Sequence, residues 1–167
     1  MLRIEEIDSQ NYYLYKNMQI TVEQARMMGD TRKEPITFYP MNIMAQYPFQ
    51  YEKPVLLGFI DDTIPVGFCS YVFMPEFKMN IIDYKNGYVI SSFMIDKNHQ
   101  SKGYGTNALK LLIEHIKQNH NVDTIYLGVD ANNFPAKNLY LKCGFILDDY
   151  SKEHENDDIN LMMKYAV

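Results

Sequence analysis

Gly103 and Gly105, with Gln100 three positions ahead of the first, lie between two apolar stretches of different character. Before them runs Val89-Ile90-Ser91-Ser92-Phe93-Met94-Ile95, and after them Ala108-Leu109-Lys110-Leu111-Leu112-Ile113-Glu114-His115-Ile116. Strand, glycine turn, helix is a layout that offers backbone N–H groups to an anion. The glycines put no Cβ in the way of a ligand. The helix then begins with unpaired donors and the positive end of its dipole. The natural occupant of Gln100-Ser101-Lys102-Gly103-Tyr104-Gly105-Thr106 is a phosphate group. Lys102 either adds a charge to it or faces solvent.

Two familiar phosphate sites fit poorly. Gly103-Tyr104-Gly105-Thr106-Asn107-Ala108 matches a loose dinucleotide fingerprint, and Asp123 follows at a suggestive distance. That acid should close a second strand, however, and Asp123 precedes its strand. Asp96 to Lys102 also separate the glycines from the strand. The chain has no G-x-x-x-x-G-K-[S/T] segment, so a P-loop is excluded.

The other reactive residue types are scattered. Cys69 and Cys143 have no metal spacing and suggest no disulfide scaffold; Cys143, just before Gly144, reads as an inert thiol. His99, His115, His120 and His154 have no metal spacing either, so no metal site is expected. The formal net charge is −5, which argues against nucleic acid as the main partner. It favours a cationic or neutral substrate through long-range steering. The first residues are acidic where a secretion signal needs an apolar core, and no run reaches the ~18 apolar residues of a membrane span. The expectation is a cytoplasmic protein with no membrane partner.

The elements that must position this turn follow from periodicity. At 167 residues and 47% hydrophobic content the chain reads as a single domain over 1–167. Leu2 to Ile7 alternates as a first strand, and Asp8-Ser9 caps a helix to about Met18. Thr21-Val22-Glu23-Gln24 has capping-box spacing for a second helix, interrupted at Gly29-Asp30. Residues 31–54 are punctuated by Pro35, Pro40, Pro48 and Pro54, with a short helix expected over 42–47. Val55–Ile60 and Val66–Phe73 form a hairpin around Asp61-Asp62-Thr63, and Pro75 ends it. Residues 76–87 read as a polar loop. Tyr88–Ile95 is a central strand buried on both faces. A helix runs from the glycine turn to about Gln118 and a strand over Thr124–Val129. Pro135 sits in the first turn of a further helix, stopped by Gly144. Phe145–Leu147 is a short strand, 148–158 an exposed hairpin tip, and Ile159–Tyr165 the last strand. The order is β-α-α-β-β-β-α-β-α-β-β, a mixed α/β sandwich with a central sheet of about seven strands flanked by helices.

Gln100-Ser101-Lys102-Gly103-Tyr104-Gly105 resembles the Q/R-x-x-G-x-G/A signature of the GNAT family of N-acetyltransferases. Asn133-Phe134-Pro135-Ala136-Lys137-Asn138-Leu139-Tyr140-Leu141-Lys142-Cys143-Gly144-Phe145 resembles that family's N-x-x-A-x-x-L-Y-x-K-x-G-F segment. The two occur in order with a strand between them, and the resemblance covers about residues 55–147. Val66-Gly67-Phe68, Phe73-Met74-Pro75-Glu76-Phe77 and Phe93-Met94-Ile95-Asp96 are similar to segments of the bacterial spermine/spermidine acetyltransferases. That group carries a carboxylate on the strand before the last of these, where this chain has Ser91 and Ser92. The departure leaves the general base and the polyamine assignment open.

The resemblance implies direct acetyl transfer from acetyl-CoA to a primary amine of a small molecule, a polyamine among them. Backbone N–H groups of Gln100 to Thr106 would hold the pyrophosphate. Phe93, Met94 and Ile95 would pair with the pantetheine arm, the Met94 N–H serving as oxyanion donor. Tyr140 would protonate the leaving thiolate, because a phenol with pKa ~10 is neutral near pH 7. Asn133 would cap its helix and touch the cofactor. An ammonium of pKa near 10.4 is neutral in only about one molecule in 10³ at pH 7, so a base or a water relay is expected. Glu76 and Asp83 are the candidates, and Ser91 could order a water. An antibiotic-modifying or protein N-terminal acetyltransferase, and a non-catalytic acyl-CoA sensor, are the alternatives. Many relatives are dimers, so a homodimer is compatible with this reading.

Overall fold

The structure is a computed structural model and describes residues 1–35, 37 and 54–167. Seven strands form one mixed sheet: β1 (Leu2–Glu6), β2 (Val55–Asp61), β3 (Ile64–Met79), β4 (Ile82–Ile95), β5 (Thr124–Asp130), β6 (Ile146–Leu147) and β7 (Asn160–Ala166). Their order across the sheet is β1-β2-β3-β4-β5-β7-β6. Every neighbouring pair is antiparallel except β4–β5, which is parallel. Among the described residues four α-helices accompany the sheet: α1 (Val22–Met27), α2 (Tyr104–Asn119), α3 (Phe134–Lys142) and α4 (Asp149–Glu153). Among the described residues no helix is long and apolar enough to cross a membrane.

The two faces of the sheet have separate cores. On one face α2 buries Ala108, Leu109, Leu112, Ile113 and Ile116 against Leu57, Phe59, Ile90, Ile125 and Leu127. Each such Leu or Ile contributes about 1.5–3 kcal/mol on burial, which makes α2 the clamp that holds the halves of the sheet together. On the other face Tyr15, Met18, Ile20 and Ala25 pack on Ile60, Phe68 and Met94. The Thr21 side chain accepts from the Gln24 N–H while the Gln24 side chain accepts from the Thr21 N–H, so the expected capping box starts α1.

Three expectations are corrected. The helix read over residues 8–18 is only a 3-10 turn at Tyr12–Leu14. Asp8 Oδ1 takes the N–H groups of Gln10 and Asn11, and the Asn11 amide reaches back to the Glu6 carbonyl. These local bonds compete with the helical ladder. Tyr12 and Leu14 are exposed, and only Tyr15 and Met18 turn inward.

Pro75 does not end β3, and residues 76–87 are not a loop. β3 and β4 continue as a hairpin that turns at Asn80 and Ile81. Asn80 takes φ 55°, as the tight turn requires. The outer hairpin folds across β5. Phe77 stacks on Tyr84 at 5.0 Å, and both rings meet Tyr126 edge-on at 5.4 Å. The Tyr84 hydroxyl donates to Asp148, and Asn80 Nδ2 donates to the Asn160 carbonyl at 3.0 Å.

Residues 148–158 are not simply an exposed tip, since they begin with α4. Asp148 and Ser151 are buried; Asp148 Oδ1 caps α4 through the Ser151 N–H, and Ser151 Oγ accepts from Met162 N–H. The helix expected over 42–47 lies outside the described residues.

Candidate active site

Asp96 fixes the start of the glycine turn. Its carboxylate accepts from the N–H groups of Gln19 and Asn98 and from the His99 ring. Burial works against the charge, but these donors outweigh it and hold the carboxyl below the usual range. Gln100 Nε2 donates to the Ile95 carbonyl at 2.8 Å and to Gln24 Oε1 at 3.1 Å. Ser101 and Gly103 then take φ of 60° and 83°. Gly103 caps α2 without a side chain, so its first N–H groups stay available for an anion. The structure places the Lys102 and Tyr104 side chains away from the cleft: Lys102 Nζ donates to the Asn98 carbonyl, and the Tyr104 hydroxyl donates to Asp61 at 2.6 Å. Thr106 offers its carbonyl to Cys143 Sγ at 3.9 Å.

Beside the turn the sheet opens. β4 and β5 pair only from Tyr88–Ile125 to Ile90–Leu127. Beyond that, β5 continues to pair with β7 and β4 with β3, but not with each other. Ser91 marks the divergence: the β3–β4 register shifts between Ser70 and Tyr71, leaving Ser91 as the extra residue of a bulge. Its hydroxyl and that of buried Ser70 share a hydrogen bond of 2.7 Å. The strand expected to be buried on both faces is therefore half-open at Ser91, Ser92 and Phe93.

The ladder decides which backbone groups face the opening. Asp96 N–H donates to the Val66 carbonyl at 2.9 Å. Opposed residues of an antiparallel pair alternate between bonded and non-bonded positions. In the register that pairs Phe68 with Met94, that pair is the next bonded one. The Met94 N–H therefore points to β3, which corrects its assignment as oxyanion donor. Phe93 and Ile95 turn their N–H and carbonyl groups to the open side. The Gln100 amide on the Ile95 carbonyl agrees with this.

A cleft of about 590 Å³ fills the gap. Phe93, Met94, Ile95, Gln100, Ser101, Gly105, Asn133 and Tyr140 all line it. Asn133 Oδ1 caps α3 by accepting the Ala136 N–H at 3.2 Å. Gly144, at φ 98°, closes the helix, and the Phe145 N–H returns to the Tyr140 carbonyl. Tyr140 is thus set between two fixed helix ends. Its ring lies 6.5 Å from Phe93 and 6.1 Å from Phe145. Burial pushes its phenol up to about 12, so it is a neutral donor at any ordinary pH.

The two expected bases lie elsewhere. Glu76 is exposed on β3 opposite Lys85, and Asp83 is exposed on β4 beside Lys78. Alternation explains this: Phe77 and Tyr84 face β5, so their neighbours in the strand face outward. Neither carboxylate lines the cleft. Asp130 does, from the end of β5, with Asn160 opposite it on β7. A usable signal was its position at the carboxyl end of a parallel strand, where ligands of such sheets bind. Burial raises the Cys143 thiol pKa, in keeping with an inert role. No group of three or more potential metal-binding side chains occurs among the described residues.

Comparison with known proteins agrees with this geometry. A model of the acetyltransferase (GNAT) family matches residues 19–145. A probable spermine N(1)-acetyltransferase of Bacillus subtilis subsp. natto (strain BEST195) is 42% identical over 96 residues, 57% of this chain and 60% of that protein. The match thus spans three fifths of that relative's length. Spermidine N-acetyltransferase from Vibrio cholerae, solved in complex with CoA and spermine, superposes with a TM-score of 0.66. It covers 99% of this chain and 95% of its own at 14% identity. A Bacillus subtilis acetyltransferase in complex with CoA gives 0.65, covering 100% and 99% at 17% identity. These two likenesses establish the seven-stranded fold.

Proposed function

The chain belongs to the GNAT family of acetyltransferases, and from that premise we propose that it moves an acetyl group from acetyl-CoA to a primary amine of a small molecule, a polyamine in particular. The observation that carries this is the gap between β4 and β5, bordered by the glycine turn on one side and Tyr140 on the other. The free N–H groups at the start of α2 suit the pyrophosphate. The Phe93 and Ile95 backbone suits an added extended arm, with the Phe93 N–H as donor to the thioester oxygen. The amine nitrogen attacks the carbonyl carbon, the carbon–sulfur bond breaks, and Tyr140 gives its proton to sulfur. The ammonium loses one proton through water ordered at Ser91 before attack, the proton shed by the attacking nitrogen afterwards leaves by the same water, and Tyr140 is reprotonated from solvent. A cytoplasmic location and a homodimer belong to the same reading. The polyamine acceptor draws support from the spermine acetyltransferase likeness.

Release of free CoA with a panel of aliphatic amines tests the proposal. Turnover with at least one amine is expected. Tight acetyl-CoA binding without turnover on any amine would replace it with a non-catalytic acyl-CoA sensor.

A further inference from the structure

We infer that Asp130 receives the non-reacting ammonium of a diamine or polyamine acceptor and so sets the preference of the site for dications. The inference rests on the acetyltransferase reading above and deepens it.

The strand geometry places Asp130 on the acceptor side. Ile125, Leu127 and Val129 of β5 are buried in the core beneath α2. By alternation Tyr126, Gly128 and Asp130 occupy the other face. That face carries the end of α1, whose Arg26, Met27 and Met28 line the same cleft. The glycine turn and Tyr140 belong to the α2 and α3 side. A donor entering from that side meets an acceptor entering from the α1 side at Ser91 and Phe93.

Asp130 is the only carboxylate among the described residues that line the cleft. Its Oδ1 accepts the Asn132 N–H at 2.8 Å, which fixes its direction without cancelling its charge. Asn160 adds a neutral polar group beside it. Ile20 and Met27 supply an apolar wall suited to a methylene chain. Arg26, the cation of the lining, is exposed at the rim, where solvent and salt screen it.

The chemistry selects which nitrogen Asp130 takes. A carboxylate beside the attacking nitrogen would favour its protonated form and oppose attack. Beside a second nitrogen the same attraction anchors the substrate and leaves the first free to lose its proton. Asp130 is therefore a specificity-determining residue, not the base.

The test compares 1,3-diaminopropane with propylamine at saturating acetyl-CoA, in the wild type and in Asp130→Asn. The asparagine retains an oxygen for the Asn132 N–H and removes only the charge. The wild type is expected to favour the diamine in kcat/KM. In Asp130→Asn the diamine KM should rise about 10- to 100-fold, with propylamine kinetics and acetyl-CoA affinity unchanged. Asp130→Glu should keep the dication preference but shift it to a diamine of different length. An unaltered diamine KM in Asp130→Asn, or equal losses for both amines, overturns the assignment. If Asp130→Asn does not fold, Asp130→Glu decides, and an unchanged ranking of diamines by length overturns it. A wild type that turns over no amine removes the acetyltransferase reading and this assignment together. An active wild type with no dication preference removes this assignment alone.

Discussion

Gln100 joins the glycine turn to helix α1 across the cleft through one hydrogen bond, from its Nε2 to Gln24 Oε1 at 3.1 Å. The same Gln24 oxygen accepts the Thr21 N–H that starts α1. Helix α1 has six residues and buries only Ala25, so by itself it has little to hold it. Gln24→Leu should loosen the acceptor wall and free the Gln100 amide. A net hydrogen bond contributes about 0.5–1.5 kcal/mol. The amine KM should therefore rise about 3- to 10-fold, with a smaller loss of acetyl-CoA affinity by calorimetry. An effect confined to acetyl-CoA would contradict this link.

Tyr140→Phe should leave acetyl-CoA binding unchanged and lower kcat about 10²- to 10⁴-fold. Because burial holds the phenol at about 12, the wild-type rate should show no alkaline decline from this group below that pH. Equal kcat values for variant and wild type would remove Tyr140 from the proton path.

Gly103→Val forces a branched residue into φ 83°. No atom lies close enough to clash with the new Cβ, so the cost is backbone strain of roughly 1–2 kcal/mol. The turn should relax away from its anion-binding shape, weakening acetyl-CoA binding at least about 10-fold, with a modest fall in Tm. Unaltered affinity would sink the phosphate assignment of residues 100–106.

Alkali should unfold the protein through its buried tyrosines. Burial raises Tyr71 and Tyr140 from 10.0 to about 12, and burial with a carboxylate neighbour raises Tyr15 and Tyr84 further. The folded state binds these protons more tightly than the unfolded one. Their contribution is complete below pH 10 and is lost as pH rises through the folded values. Tm should hold steady to about pH 9 and then drop steeply, together with the rise of tyrosinate absorbance. A Tm that falls well before tyrosinate appears would point to other groups.

Tyr84→Phe removes the donor to buried Asp148, which also caps α4. Loss of one partner of a buried hydrogen bond costs about 1–3 kcal/mol. Denaturant unfolding should show that loss with an unchanged m-value. A cost near zero would mean that water replaces the phenol.

What the residue pattern revealed depended on how local the controlling interaction was. The capping box at Thr21–Gln24, the Asn133 cap and the Gly144 stop involve groups within a few positions of one another, and each was legible. The outer β3–β4 hairpin was not. Glu76-Phe77-Lys78-Met79 and Ile82-Asp83-Tyr84-Lys85 alternate as strands do, but Pro75, Asn80 and Gly87 read as breakers. The partner that stabilises the alternation, Tyr126, lies about forty to fifty positions away. The glycine turn was legible because Gln100, Gly103, Gly105 and the start of α2 are contiguous in the chain. The acceptor side was not, because its lining is assembled from α1, β4, β5 and β7.

The gap between β4 and β5 has a mechanical consequence. The sheet is two antiparallel blocks, β1–β4 and β5–β7–β6, joined by a parallel seam of three residue pairs. Such non-local parallel pairing is slow to form. Within the backbone ladder the seam should therefore be the last join made in folding. A molecule lying in the gap and bonded to both blocks would act as a splint, extending the join between them beyond those three residue pairs.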